Sequence, residues 1–250
     1  MNIIITMAGL YKRFRVFGNR VPKYLLAIDT RTILWFVLKN LIISSQNYKI
    51  YLVANEKDIE FNPIILAIMR DLSIKSENLL FIKETKSQLE TANFLIKKYI
   101  ANKIDSNEKI VFHNCDTVIL DRRKLFKKIT TLKFDESLVD TFQASSRNYS
   151  YILKEKNKKN IVNRIADKIL LSDMACSGLY SFGSAKFFIE NSDKILLENN
   201  NANFTNLYQN LLSKGNNVYF MNEEDESKTI VLGTPDDYLA NLHKFSGKNV

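Results

Sequence analysis

The first 120 residues alternate short β-branched runs with longer helix-like runs, and that rhythm leaves the chain few architectures. Asn2–Met7 reads as a buried strand stopped by Gly9. A helix is expected over 33–42, apolar on all sides, with Thr32 as its N-cap. A strand at 49–54, a helix at 61–72, a strand at 79–84 and an amphipathic helix at 88–100 follow, and a strand at 109–116 ends in an acidic turn. Such βαβα alternation predicts an α/β fold, a Rossmann-like and mainly parallel sheet flanked by helices. The second half is more mixed. Strands are expected at 139–144, 150–155, 179–183 and 216–222, with helices at 184–198, 204–215 and 234–245. Thr234 suits the N-cap of the last helix, with Pro235 at its first position and two acids in its first turn. No linker or repeat period interrupts the chain, so 1–250 reads as one domain.

Composition narrows the class. The chain has 250 residues, enough for a full core, and 46% hydrophobic with 25% charged residues is ordinary for a globular protein. The lack of a long apolar stretch or a cleavable leader pattern predicts a cytoplasmic protein with no membrane partner. Cys115 and Cys176 have no zinc spacing and form no disulfide framework, so both are expected to be small buried fillers. A net charge of +9 invites a nucleic-acid reading. The densest basic run, KEKNKKN at 154–160, carries no aromatic residues to stack bases and reads as a solvated hairpin or loop. No nucleic-acid partner is therefore expected, and small phosphorylated ligands account for the charge near the N-terminus.

Three segments fall at the carboxyl ends of expected strands, where open α/β sheets bind ligands. The first is MAGLYKRF, a glycine turn followed by Lys12, Arg13 and Arg15, with Lys23 directly after Pro22 further on. Backbone N–H groups in such a turn, with cations beyond it, make an anion site. The second is the loop before Gln88, and the third is Asn114-Cys115-Asp116-Thr117. Asp116 stands at a strand end with no lysine partner beside it, which suits a hard divalent cation such as Mg2+; closing the strand with an Asx turn is its plainer role.

These segments, in this order, resemble the sugar-phosphate nucleotidyltransferases that serve bacterial surface polysaccharides. MAGLYKRF with VPKYLL is similar to that family's glycine-rich signature and its following Pro-Lys. SQLET resembles its Gly-Gln stretch, FHNCDT its metal-binding strand end and Ala166-Asp167-Lys168 its Glu-Lys pair. SGLYSF, LYQNLLSKGNNVYF and LGTPDDYLANL match later segments of the family. The resemblance implies a nucleotide-diphospho-sugar transferase fold, with a nucleotide-binding half at 1–120 and an acceptor-binding half at 121–250. It also implies Mg2+ as cofactor and admits a homodimer.

The roles carried by the resemblance are specific. Ala8, Gly9, Leu10 and Tyr11 would meet the triphosphate, Arg13 the leaving pyrophosphate, and Lys23 the α-phosphate and incoming phosphate. Gln88 would approach the base, Asp116 the metal, and Lys168 and Gly178 the phosphorylated acceptor. CTP is favoured over UTP or dTTP on general likeness. In-line attack brings two anions together, so cations and positioning suffice without His or Cys. Three positions depart from the pattern: Tyr11 for the second glycine, Ser87 for the glycine before Gln88, and Leu232 where a second acid is expected. Either one carboxylate with phosphate oxygens and water then suffices, or Asp173 or Asp225 is the substitute acid, or activity is low. Two other classes stay open, a glycosyltransferase of related fold and a non-catalytic nucleotide-sugar sensor.

Overall fold

β1 (Asn2–Met7) is buried along its whole length, and its alternating side chains feed two cores. Ile3, Ile5 and Met7 point to one face of the sheet and Ile4 to the other, as the period of a strand requires. The computed structural model describes residues 1–16, 18, 20–100 and 103–245, with the backbone alone at Ile100.

After β1 come α1 (Lys12–Val16), the small hairpin of β2 (Ala27–Ile28) and β3 (Arg31–Thr32), and α2 (Ile33–Ser44). Thr32 caps α2 as expected, its hydroxyl accepting from the Trp35 N–H at 3.3 Å. β4 (Lys49–Asn55), α3 (Asn62–Asp71), β5 (Leu79–Ile82), α4 (Gln88–Ile100) and β6 (Ile110–Asn114) complete the alternating half. Its strands form a parallel block in the order β5-β4-β1-β6. β4 and β5 lie to one side of β1 and β6 to the other, so the winding reverses between β1 and β6. Crevices open at the carboxyl ends of strands at such a switch.

The second half contains β7 (Thr117–Ile119), α5 (Arg123–Thr130), β8 (Ser137–Gln143), β9 (Ser150–Lys154), β10 (Val162–Asp167) and β11 (Met174–Phe182). It closes with α6 (Ala185–Glu198), α7 (Phe204–Ser213), β12 (Val218–Glu223), β13 (Thr229–Val231) and α8 (Pro235–Asn241). β11 runs antiparallel to β6 and β8, β12 runs parallel to β8, and the β9–β10 hairpin joins through β9. Among the described residues this makes a mixed nine-stranded sheet. β13 pairs antiparallel with β7 and so brings the last loop against the segment that follows β6.

Several elements escaped the sequence pattern. α5 is eight residues long and mostly basic, and only Leu125, Phe126 and Ile129 mark its buried face. β7 and β13 are three residues each, too short for a periodic signal. β10 is half exposed. β11 begins at Met174, ahead of the expected 179, because its register shifts between Cys176 and Tyr180 and breaks the alternation. The closing helix ends at Asn241, and a 3-10 turn covers 242–245. None of the described helices is long and apolar enough to cross a membrane.

Aromatic side chains lock the second half onto the first. Phe204 at the start of α7 stacks on Tyr180 of β11, with centroids 4.6 Å apart and planes 8° apart. It also meets Phe112 of β6 at 5.2 Å. The Tyr208 hydroxyl donates to the Leu138 carbonyl at 3.0 Å and accepts from the Ser181 N–H at 3.1 Å, which ties α7 to β8 and β11. Phe204→Ala should therefore cost about 3–5 kcal/mol, the usual loss for a buried ring. Denaturant unfolding checks this; a loss under about 1 kcal/mol would mean that the cluster repacks around the hole.

Candidate functional site

The carboxyl ends of β1 and β6 open into two adjoining cavities of about 440 and 400 Å³. Both are lined by Tyr11, Lys12, Lys23, Asn114 and Asp116, so these residues form the junction of one cleft. Ala8, Gly9, Leu10 and Gln88 line the first cavity, and Arg13, Tyr149, Ser177 and Asp237 line the second. The three strand-end segments picked out in the sequence thus converge in space.

The glycine turn is built with only one of the expected glycines. Tyr11 takes φ +39°, the left-handed region that a second glycine would enter freely. Its hydroxyl donates to buried Asp58 at 2.7 Å, and Asp58 also accepts from Tyr24 at 3.0 Å. The Arg15 guanidinium lies 4.7 Å from the Tyr11 ring centroid and donates to its hydroxyl at 3.1 Å. These bonds offset a backbone strain of roughly 1–2 kcal/mol. Burial raises the Tyr11 phenol, with Asp58 adding to the effect and Arg15 opposing it. The Asn55 amide fixes the other end of the turn by donating to the Ala8 carbonyl at 3.0 Å.

Lys23 opens a short 3-10 turn after Pro22, and its ammonium forms an ion pair with Asp116. The side chains are 22% and 11% exposed, so the pair faces the cleft with limited access to water. Burial works against the Lys23 charge, but Asp116 outweighs it and holds the ammonium above the usual lysine range. The reading of Asp116 as an acid without a lysine partner is therefore corrected: the partner is distant in sequence and adjacent in space. Around it, the Leu232 N–H donates to the Asp116 carbonyl at 2.8 Å. A Cβ on Gly233 would stand 3.0 Å from Asp116 Oδ2, so the loop after β13 hugs this residue.

Gln88, the first residue of α4, donates through Nε2 to Thr6 Oγ1 at 2.6 Å and to Asn114 Oδ1 at 2.7 Å. Its amide thereby bridges the ends of β1 and β6, and among the described residues Oε1 has no partner. Ser87 replaces an expected glycine and serves as a cap, its hydroxyl accepting from the Glu90 N–H at 3.1 Å. Gly178 has φ +90°, and a Cβ there would lie 2.2 Å from the Asn114 side-chain nitrogen. Glycine is required on both counts. Lys168 follows β10 with φ +55° and is exposed, with no side-chain partner among the described residues. Its N–H donates to the Tyr149 carbonyl at 3.0 Å, which sets it beside the second cavity rather than among the lining residues.

The position of the missing acid also changes. Leu232 is fully buried in the core beneath the sheet, and strand alternation turns its neighbour Val231 to the cleft instead. Asp225 caps a surface turn through Ser227, and Asp173 lines a hollow with Phe142 and Glu226 that meets the second cavity at Tyr149 and Val231. Neither lines the cleft. Asp237 does; among the described residues it has no ion pair, and it accepts from the Thr234 hydroxyl at 2.6 Å. Its position in a first helical turn disguised it in the sequence as a capping acid. Tyr149 was missed as well, and burial first, then Asp237, pushes its phenol up to about 12. Among the described residues no group of three His, Cys, Asp or Glu side chains forms a metal cage. One carboxylate with phosphate oxygens and water is nonetheless a common Mg2+ set, and Asp116 at the junction of the two cavities fits it.

No family model and no curated protein matches the chain. Solved structures do match. A nucleoside-diphosphate-sugar pyrophosphorylase from Vibrio cholerae RC9 superposes with TM-score 0.82 over 97% of this chain and 100% of its own, at 22% identity. The inositol-1-phosphate CTP transferase of T. maritima gives TM-score 0.72 at 15% identity over 100% and 98% of the chains. A UDP-glucose pyrophosphorylase complexed with UDP-glucose gives 0.70 at 15% over 97% of each. The chain thus has the Rossmann-like fold of the nucleotide-diphospho-sugar transferases, with a mixed sheet flanked by helices.

Two predictions follow from this geometry. Leu232→Asp should not restore an acid to the cleft; it should cost more than about 3 kcal/mol by burying a carboxylate in an apolar core. Val231→Asp should be tolerated, and equal melting temperatures for the two variants would contradict the assignment of faces. The second concerns His113, wholly buried behind the Asp116 loop with Nε2 2.8 Å from the Thr117 carbonyl. Burial depresses its imidazole to about 4. Between pH 6.5 and 4 the unfolded chain takes up a proton that the folded chain refuses, so stability falls as pH drops, by roughly 3 kcal/mol across the window. Unfolding of His113→Gln over the same range should show a shallower fall.

Proposed function

We propose that the protein is a nucleotidyltransferase that joins a nucleoside triphosphate to a sugar phosphate or similar small phosphorylated acceptor and releases pyrophosphate. The observation that carries this reading is the junction of Lys23 and Asp116 between two adjoining cavities, on a fold shared with pyrophosphorylases and a CTP transferase. Two anionic substrates that must react need neighbouring sites with cations where they meet.

The chemistry follows from those groups. An oxygen of the acceptor's phosphate forms a bond to the α-phosphorus while the bond from that phosphorus to the bridging β-oxygen breaks. Pyrophosphate leaves with the electron pair. The N–H groups from Ala8 to Tyr11 hold the triphosphate, and Arg13, exposed at the rim, takes the charge gathering on pyrophosphate. Lys23 neutralises the α-phosphate and the incoming phosphate. Gln88 offers Oε1 to a donor on the base, such as the amino group of cytosine or the imide N–H of uracil or thymine, with CTP the first choice as substrate. Gly178 keeps the acceptor site clear, and Lys168 reaches over Tyr149 to the acceptor's phosphate. Residues 1–120 thus serve the nucleotide and 121–250 the acceptor. Asp116 would hold Mg2+, which supplies charge neutralisation to the phosphates when bound. A cytoplasmic enzyme of this kind would make activated building blocks for capsule or other surface glycans.

The test is pyrophosphate release from each NTP with Mg2+ and a panel of phosphorylated acceptors. One pair should turn over, and Lys23→Ala should lower that rate at least about 100-fold while the fold persists. Near-normal release by the variant would remove Lys23 from the chemistry, and no release with any pair would leave the sensor reading standing.

A further inference from the structure

Asp116 is asked to do two things that exclude each other. Its carboxylate faces the junction of both cavities and is the acid there that could hold a cation between two phosphates. Yet that same carboxylate already holds the Lys23 ammonium, on a side chain 11% exposed and closely approached by Gly233. Asp237, the other acid of the second cavity, accepts from Thr234 and has no cation partner among the described residues. A hard divalent ion needs bare oxygen ligands, and a positive neighbour in direct contact repels it.

We propose that Lys23 is the resident counter-ion of Asp116 and gives way to the divalent cation only when a triphosphate arrives to take the ammonium. One carboxylate then serves two cations in turn. Without nucleotide, the ion pair neutralises a shielded carboxylate and keeps metal out. With nucleotide, the ammonium moves onto phosphate, the carboxylate is freed, and metal and nucleotide stabilise each other's binding. This coupling is reciprocal by thermodynamic necessity, so metal also raises affinity for the triphosphate. Lys23 is therefore a gate on metal entry as well as a phosphate ligand. The inference rests on reading Asp116 as the metal-holding acid.

The test uses Mn2+ alone, without nucleotide, and reads bound ion by electron paramagnetic resonance. The parent should bind Mn2+ weakly. Lys23→Gln removes the charge yet keeps a hydrogen-bond donor, and should bind Mn2+ about 5- to 100-fold more tightly, the usual span of coupling between two ligands that share a group. Lys23→Arg should stay as weak as the parent, and adding Asp116→Asn to Lys23→Gln should abolish the gain. Equal Mn2+ affinity in the parent and Lys23→Gln would overturn the proposal, as would a gain that survives Asp116→Asn. If Lys23→Gln does not fold, the Lys23 ammonium signal in nitrogen-edited NMR of the parent decides. Millimolar Mg2+ alone should leave it unmoved, and displacement by Mg2+ alone contradicts the gate. The pyrophosphate assay is separate: turnover with no Mn2+ gain sinks this inference alone, and a Mn2+ gain with no turnover sinks the transferase reading alone.

Discussion

The ion pair of Lys23 and Asp116 is the contact on which the arrangement of the cleft depends. It joins a turn that follows β1 to the loop that ends β6, across the switch point of the sheet. Each partner comes from a different βα unit, so the pair forms only when β1 and β6 lie side by side in register. Both groups are partly shielded, and breaking the pair would leave a charge without compensation, which costs far more than losing a surface bridge. The loop after β13 then closes over Asp116 through one backbone bond and the absence of a side chain at Gly233.

A second layer of polar contacts holds that junction in place. Gln88 clips Thr6 to Asn114, and Asn114 in turn occupies the space that only a glycine at 178 leaves open. The two cavities of the cleft are thus linked through one amide ladder. On the other flank, buried Asp58 collects the hydroxyls of Tyr11 and Tyr24. That bond explains how a tyrosine stands where a glycine was expected: the left-handed backbone is kept, and the ring is anchored away from the turn. The loop geometry survives the substitution because another interaction bears its strain.

Much of this was legible in the chain. The first half alternates so regularly that the strands and helices expected there fall within a residue or two of their bounds, though the short α1, β2, β3 and β7 were not foreseen, and α4 matches at both ends. Gly9, Lys23, Gln88 and Asp116 were each visible because strand ends and glycine turns announce themselves locally. What could not be read was anything decided across the fold. The partner of Asp116 lies 93 positions away, and no local pattern carries that pairing. Leu232 and Val231 exchange roles because a three-residue strand sets their faces, and such a strand leaves no period to read. Asp237 looked like one of two acids in a first helical turn, which it is, and only the packing of α8 beside β13 brings it to the cleft.

The central claim is that the turn from Ala8 to Tyr11 and the start of α4 receive a metal-bound triphosphate. Hydrogen exchange read by mass spectrometry tests this without knowledge of the acceptor, using Mg2+ with ATP, CTP, GTP, UTP and dTTP in turn. At least one nucleotide should slow exchange in segments 8–11 and 86–90, and Mg2+ alone should not. If none protects these segments, or if protection falls only around the separate charged hollow of Arg122, Arg123 and Lys228, the account is contradicted.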